Sequence, residues 1–591
     1  MSSYRAPLKD MKFVLNELAG LDEVAKLPGY EEATPDTVDA ILEEAARFAG
    51  EVLDPLNRSG DEEGSKWTDG EVRTPKGFRD AYDKFAQGGW NALPFEPDWG
   101  GQGLPKLVAT PVDEMWTSAN MSFSLCPLLT QGAVHALALR GSAELQKVYI
   151  PKMVTGEWTG TMNLTEPQAG SDLALVKTRA VREGNHYRIS GQKIFITYGE
   201  HDLTRQIVHL VLARTPEAPE GTKGISLFVV PKFIVKPDGS LGERNGAKCA
   251  SLEHKLGIHA SPTAVMIYDN AIGYLVGEEN RGLETMFIMM NAARFGVGLE
   301  GVAIAERAYQ RALAFSKERL QGKDLAVGGK TVPIIRHPDV RRMLMLMKSQ
   351  TEAMRALAYV VAASLDFASR AKNPQERKRH QAFVDLMIPI VKGWCTETGI
   401  DVASLGVQVH GGMGFVEETG AAQYLRDARI TTIYEGTTGI QAMDLVGRKI
   451  ARDGGTTARE WLAQLRAFDS DLAGTSNPHI QSLRRHLAGG VQALADAVQF
   501  IVSEKDPHAA FAGAVPFLKL AGIVAGGWQM ARAALAAERT MSSDPSFCEG
   551  KIATARFYCD HVLVQARGLC DTVVNGSAGV MALSEEQFSA A

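Results

Sequence analysis

At 591 residues the chain has material for several domains and large buried cores, so it is not a small binding module. Its 45% hydrophobic and 22% charged residues are ordinary for a globular protein, and a formal net charge of -6 speaks against a nucleic-acid partner. Scattered cysteines without a CxxC pair, and histidines without an HExxH motif, imply reduced, mostly buried thiols and no metal.

Residues 1–33 read as a polar leader with weak helical character. Arg5, Lys9, Asp10 and Lys12 interrupt it too often for a signal peptide. No apolar run reaches transmembrane length, and the expectation is a soluble cytoplasmic protein without a membrane span. Thr34 and Pro35 then supply a cap and a first-turn proline for a helix with Val38, Ile41, Leu42, Ala45 and Phe48 on one face. A mostly helical segment follows to about Thr155. It is broken at Leu93–Pro105, where prolines, glycines, Phe95 and Trp99 suggest an ordered loop packed on something, or a plain interhelical connection.

From Gly160 the period changes. Tyr187–Ile196, Ile207–Leu212, Ile225–Val230 and Ala264–Tyr268 are short β-branched or aromatic runs between turn residues, the signature of an antiparallel β domain ending near Gly277. From Glu284 long amphipathic helices return, broken by Gly322–Pro338 and by Asn373 and Pro374, and closed by Gly454 and Gly455. An alanine-rich helical region over about 456–583 completes the chain. In it Cys559 and Cys570 have a spacing that places both on one helical face, sharing burial rather than a metal. The segments are therefore 1–33, 34–159, 160–278, 279–455 and 456–591: mainly α with a small central antiparallel β domain and an added C-terminal helical domain.

Two motifs are decoys. Gly296, Gly298 and Gly301 spell GxGxxG, but their neighbours continue a helical pattern into Ile304 and Ala308, so they read as small residues for close helix packing. Gly329, Lys330 and Thr331 resemble the end of a P-loop, but Asp324 stands where its first glycine is needed.

Two other stretches bear chemistry. Thr165 to Asp172 form a turn rich in small and hydroxyl residues, able to present N–H groups and hydroxyls to a flavin or a pyrophosphate, or equally to be a surface hairpin. Tyr434, Glu435, Gly436 and Thr437 set an acid between an apolar aromatic run and a tight turn that opens a helix. That placement suits a general base, and it also suits an acid merely favoured by a helix dipole.

Taken together, TEPQAGSD (Thr165–Asp172), GQKIFIT (Gly191–Thr197), GVQVHGGMGF (Gly406–Phe415) and RDARITTIYEGTTGIQ (Arg426–Gln441) resemble, in order and spacing over about residues 35–450, the acyl-CoA dehydrogenase family. The resemblance implies FAD as cofactor, an acyl-CoA substrate, electron-transferring flavoprotein as acceptor, and a homodimer or dimer of dimers. By the same resemblance Met162, Leu164 and Thr165 contact the flavin, the last two at its pyrimidine end, while Phe195 and Thr197 lie against the ring and ribityl chain. Phe195 replaces a tryptophan common in the family. Ser171 borders the cofactor and touches CoA. Arg319, Gln321, Gln408 and Gly412 match positions that reach a neighbouring subunit's FAD, and Gly411 and Thr437 also match cofactor positions. Arginine suits that task because its fork makes paired charged hydrogen bonds to pyrophosphate. Arg294, Tyr434 and Gly436 match substrate contacts, and Glu435 matches the catalytic base. Other branches carry the base just before the residue matching Arg294, where this chain has Ala293.

The implied chemistry removes a weakly acidic thioester α-proton while the β-hydride leaves for the flavin, which requires a polarised carbonyl and a matched base. Dehydration of the pocket near Tyr434 on substrate binding is expected to raise the proton affinity of Glu435, against the helix N-terminus beyond it. Gly439, Ala442, Gly322 and Lys323 depart from the commoner pattern. The leader and the C-terminal helical region are similar to a bacterial subgroup acting on 3-(methylthio)propanoyl-CoA, from dimethylsulfoniopropionate breakdown, or on longer fatty acyl-CoAs. The thioether is the preferred expectation, with a fatty acyl-CoA dehydrogenase, an oxidase or a non-catalytic thioester-binding scaffold as alternatives.

Overall fold

The computed structural model describes residues 4–326 and 328–589. By contact the chain forms two compact units. One comprises Glu44–Leu104 and Met115–Gly296, and the other Met1–Glu43, Pro105–Glu114 and Val297–Ala591.

The first unit combines helices with a seven-stranded sheet. Its path runs Trp158–Asn163, Gln206–Ala213, Ser226–Pro231, Thr263–Val276, His186–Thr197 and Arg179–Glu183, with Ala247–Leu252 added on Thr263–Val276. All four expected runs are strands, and Gln206–Ala213 is buried at every residue, as a strand covered on both faces should be. The pairing is antiparallel with one correction: Trp158–Asn163 runs parallel to Gln206–Ala213, in register from Trp158 with Gln206. Parallel neighbours need a long crossover. Residues 164–205, which carry the Thr165 turn and two further strands, supply it. Leu137, Tyr149, Met153 and Trp158 pack with Val208, Leu210 and Leu227 in one core.

A hairpin, Lys66–Thr68 with Glu71–Arg73, interrupts the stretch expected to be helical. Asp69 and Gly70 at its tip both have positive φ, the geometry that an Asp-Gly pair favours. The Leu93–Pro105 loop is ordered. Gln102, Gly103 and Leu104 donate backbone N–H bonds to the carbonyls of Ala92, Phe95 and Leu93, and Leu93 and Phe95 are buried.

In the second unit the Pro338–Arg370 and Pro374–His410 helices and the part of the Gly282–Glu318 helix from Val297 onward dominate. The GxGxxG stretch is helical, as read. A Cβ at Gly298 would meet the Val391 carbonyl oxygen at 2.8 Å, and one at Gly301 the Cys395 carbonyl oxygen at 2.3 Å, so these glycines let two helices touch. Where a simple break was expected, Leu320–Asp324 pairs with Gly328–Pro333, and Lys330 and Thr331 lie on that exposed strand.

The polar leader needs correcting. Tyr4, Met11, Val14 and Leu15 are buried, and Asp10 accepts from Arg355 Nη1 at 2.8 Å and from Lys551 Nζ at 2.5 Å. Leu8–Phe13 thus belongs to the core of this unit. The C-terminal region is helical, but Cys559 and Cys570 do not share a helix: the chain turns at Leu563–Gln565, between Pro545–His561 and Ala566–Asn575. All six cysteines are free and buried. The expectation about apolar runs is also revised. Met121–Arg140 and Gly282–Glu318 are long and apolar enough to cross a membrane, but their apolar windows are mostly buried inside the protein.

Candidate active site

The Thr165 turn is built on a buried carboxylate. Glu166 accepts from Lys193 Nζ (2.8 Å), Thr178 Oγ1 (2.6 Å), Gln168 Nε2 (2.6 Å) and the backbone N–H groups of Lys177 (2.7 Å) and Thr178 (3.1 Å). Lys193 also donates to the Leu164 carbonyl at 3.0 Å, and Ile194 N–H donates to the Thr165 carbonyl at 2.9 Å. Burial pushes the Glu166 carboxyl up, but Lys193 and these donors outweigh it and hold the group below the usual carboxylate range. Burial dominates at the ammonium, which is pushed down to about 8. With both ends fixed, Met162, Leu164 and Thr165 are left partly exposed and Ser171 exposed.

Phe195 lies on the neighbouring strand, 59% exposed and with φ of 59°. Left-handed backbone at a bulky residue is strained, and such strain gathers where function fixes a side chain. Thr197 is half-buried, and its carbonyl accepts from Thr161 Oγ1 at 2.7 Å. Arg294 is buried, with Nη1 3.5 Å from Asn291 Oδ1.

The second unit holds the other matched residues. Arg319 is exposed just after the Gly282–Glu318 helix, and its carbonyl accepts from Ile334 N–H at 2.9 Å. Gln321 and Gln408 are exposed as well. Gly411 has φ of 61° and ψ of -141°, a conformation essentially reserved for glycine, and a Cβ at Gly411 or Gly412 would project into open space.

Glu435 is half-buried with φ of 55°, followed by Gly436 at 90°. Three side chains fix this turn. Gln441 Nε2 donates to the carbonyls of Glu435 (3.1 Å) and Gly436 (3.3 Å), and the buried Lys392 donates to Gly436 at 2.6 Å. Thr437 Oγ1 accepts from Ile440 N–H at 3.2 Å and caps the Thr438–Met443 helix, as the sequence implied. Tyr434 donates its hydroxyl to Glu300 Oε2. Burial pushes the Glu300 carboxyl up to about 8; the Tyr434 bond and Lys392 oppose this, and the Glu435 charge adds to it. Burial, and then Glu300, push the Tyr434 phenol well above its ordinary range.

Matches to family models cover the chain in order: acyl-CoA dehydrogenase N-terminal domain over 35–157, middle domain over 161–271, C-terminal domain over 280–451, and an acetyl-CoA dehydrogenase C-terminal-like model over 461–584. The chain is 51% identical over 95% of its length to a 3-methylmercaptopropionyl-CoA dehydrogenase of Ruegeria pomeroyi, 96% of which is covered. The chain belongs to the acyl-CoA dehydrogenase family. It is also 33% identical to a butyryl-CoA dehydrogenase of Syntrophomonas wolfei, over 99% of both chains. Among solved structures, an acyl-CoA dehydrogenase of Bacillus anthracis complexed with FAD shares the fold at a TM-score of 0.72, with 20% identity, 98% of this chain and 93% of that one covered.

This enzyme is accordingly an FAD-dependent oxidoreductase acting on an acyl-CoA. Its residues fit the cofactor: a polar, half-exposed turn at Thr165, an exposed ring at Phe195, a guanidinium at Arg319 and open, Cβ-free backbone at Gly411 and Gly412. The buried supports, Glu166, Lys193, Glu300, Lys392 and Gln441, escaped the sequence reading. A signal existed for Glu300, the one acid in the small and apolar run from Gly296 to Ala305, and for Lys392, the one charge between Met387 and Cys395.

Proposed function

We propose that the enzyme oxidises 3-(methylthio)propanoyl-CoA to its 2,3-enoyl-CoA, with Glu435 taking the α-proton. The observation that carries the substrate is the 51% identity, over nearly the whole length of both chains, to the relative named for this thioester, since 3-methylmercaptopropionyl is the same acyl group. Glu435 sits in a strained turn fixed by Lys392 and Gln441, which presets the carboxylate's position. Its backbone N–H is the chain's own donor to the thioester oxygen, where charge develops as the proton leaves. Bound FAD supplies the acceptor for the β-hydride. Met162, Leu164, Thr165, Phe195 and Thr197 hold its ring, Arg319, Gln321, Gln408 and Gly412 reach the FAD of a neighbouring subunit, and Gly411 and Thr437 border the cofactor. Ser171, Arg294, Tyr434 and Gly436 contact the substrate.

Electron-transferring flavoprotein as acceptor and a homodimer or dimer of dimers belong to the same proposal and rest on the family resemblance, and the segments 1–33, 34–159, 160–278, 279–455 and 456–591 belong to it on the sequence pattern. A cytoplasmic location is supported by six unpaired, buried cysteines. The 33% identity to a butyryl-CoA dehydrogenase favours a second reading, a fatty acyl-CoA substrate. Anaerobic titration of the yellow enzyme with 3-(methylthio)propanoyl-CoA and with butanoyl- to palmitoyl-CoA decides between them. The thioether should bleach the flavin fastest, and a faster response to a fatty acyl-CoA would replace the thioether with that substrate. An E435Q enzyme that bleaches at the wild-type rate would remove Glu435 as the base.

A further inference from the structure

The carboxyl of Glu300 is a buried acid that the reaction as described does not use. It is 2% exposed, on the Gly282–Glu318 helix, with Oε2 accepting the Tyr434 hydroxyl and Oε1 lacking a hydrogen-bond partner among the described residues. A buried polar atom without a partner is costly, and one beside the reacting group calls for a reason. The charged and titratable groups around it are Lys392 on the Pro374–His410 helix and Tyr434 and Glu435 in the turn, with Asp427 acting on Tyr434 from the Ala421–Ala428 helix. Lys392 also holds the Gly436 carbonyl, so one lysine serves both the turn and the acid behind it.

We propose that Glu300 is a positioning residue for the Glu435 reaction: it anchors Tyr434, and through it the strained turn at Glu435, and its protonation state tunes the base through space. The proposal rests on Glu435 as the base. The buried Glu300 and the half-buried Glu435 act on each other through space, so their proton equilibria are linked. While Glu300 is neutral it places no charge beside Glu435. Once Glu300 ionises, its charge raises the proton affinity of Glu435 and makes it the stronger base. Burial places that ionisation near pH 8, against the opposing effect of Lys392.

The test is the pH dependence of anaerobic flavin bleaching by a saturating acyl-CoA. The wild type should show a second inflection near pH 8, the rate rising above it. E300Q keeps an acceptor for Tyr434 but cannot ionise, so it should lose the inflection. A wild type without it, or an E300Q enzyme that keeps it, overturns the tuning. For the anchor, E300A and Y434F should each lower kcat on the order of tenfold with KM little changed, and the double variant should fall no further than either single one. Independent multiplication of the two losses overturns the anchor. Flavin absorbance per protein reports folding. If E300A fails to fold, E300Q still decides the tuning and Y434F the anchor, which a wild-type kcat in Y434F overturns. Loss of bleaching in E435Q at every pH alongside an unchanged E300Q profile removes this inference alone, whereas normal bleaching in E435Q removes the base assignment as well.

Discussion

The strongest structural demand on the flavin turn falls on Glu166, and its removal is a direct test of how the site is held. Glu166→Ala deletes five acceptor contacts and leaves the ammonium of Lys193 buried against the Leu164 carbonyl. Breaking a buried ion pair by removing one partner costs about 3–5 kcal/mol. That is less than the stability of a well-packed domain, commonly about 5–15 kcal/mol, so the unit stays folded while the 164–178 turn loosens. If the turn must be ordered to hold FAD, the whole penalty appears in cofactor affinity, with a ceiling on the order of 10³-fold weaker binding. Glu166→Gln retains one carbonyl oxygen for the donors and should lie between the two. The assay is FAD retained per protein after dilution, followed by flavin fluorescence, alongside a urea unfolding curve. Retention within twofold of wild type in both variants, with unchanged unfolding midpoints, would refute the reasoning that this carboxylate orders the flavin turn.

Three further outcomes are expected. Gly436→Ala brings a Cβ to 2.7 Å from the Gln441 nitrogen that holds the Glu435 turn, at a φ of 90°; the strain of about 1–3 kcal/mol should lower kcat at least tenfold, read by single-turnover bleaching. Arg355→Met removes the guanidinium shared by Asp10, Glu114 and Glu306 and leaves three carboxylates facing one another. Urea denaturation should show a loss of at least about 3–5 kcal/mol. Asp366 accepts from Tyr30 and from the N–H groups of Lys106 and Leu107, and burial pushes its carboxyl from 3.8 up to about 6. Between those values the unfolded chain has released a proton that the folded one keeps, so stability falls as pH rises through the window, by about 3 kcal/mol at 1.4 per unit. Asp366→Asn should flatten the curve between pH 4 and 6, and an unchanged slope would contradict the assignment.

What the sequence disclosed was local. The Glu435 turn was legible because glycine, a hydroxyl cap and the helix after it lie within a few residues, and four of the seven strands of the sheet announced themselves as apolar or β-branched runs, while Trp158–Asn163, Arg179–Glu183 and Ala247–Leu252 did not. Strand direction was not legible. A run such as Trp158–Asn163 has the same composition whichever way it pairs, and only the crossover through residues 164–205 makes it parallel to Gln206–Ala213. The Asp69–Gly70 hairpin carried its signal in the open, but three-residue strands are too short for a period to emerge. The leader was misjudged for a different reason. Asp10 looks like a solvated charge until Arg355 and Lys551, the latter 541 positions away, close around it. Glu300 and Lys392 were hidden in the same way, since their importance depends on helices that meet the turn only in three dimensions.

Backbone strain marks one residue in each unit that the family pattern also singles out. Among the non-glycine residues with positive φ, Asp69, Asn270 and Asn280 are of types that tolerate it, while Phe195, Tyr198, Ile258 and Glu435 are not. Ile258 has no functional reading. Phe195 and Glu435, however, are the residues that the family pattern assigns to the flavin wall and the base, and Tyr198 closes the same strand end as Phe195, its hydroxyl donating to the Ser122 carbonyl at 2.7 Å. A glycine would relieve either position but would remove the side chain to which the proposed reaction gives a role. The chain instead retains the strain: Lys193, two residues before Phe195, is tied to Glu166, while Lys392 and Gln441 hold the Glu435 turn and Glu300 holds Tyr434. At the Glu435 turn a buried charge fixes strained backbone directly, since Lys392 donates to the Gly436 carbonyl at 2.6 Å.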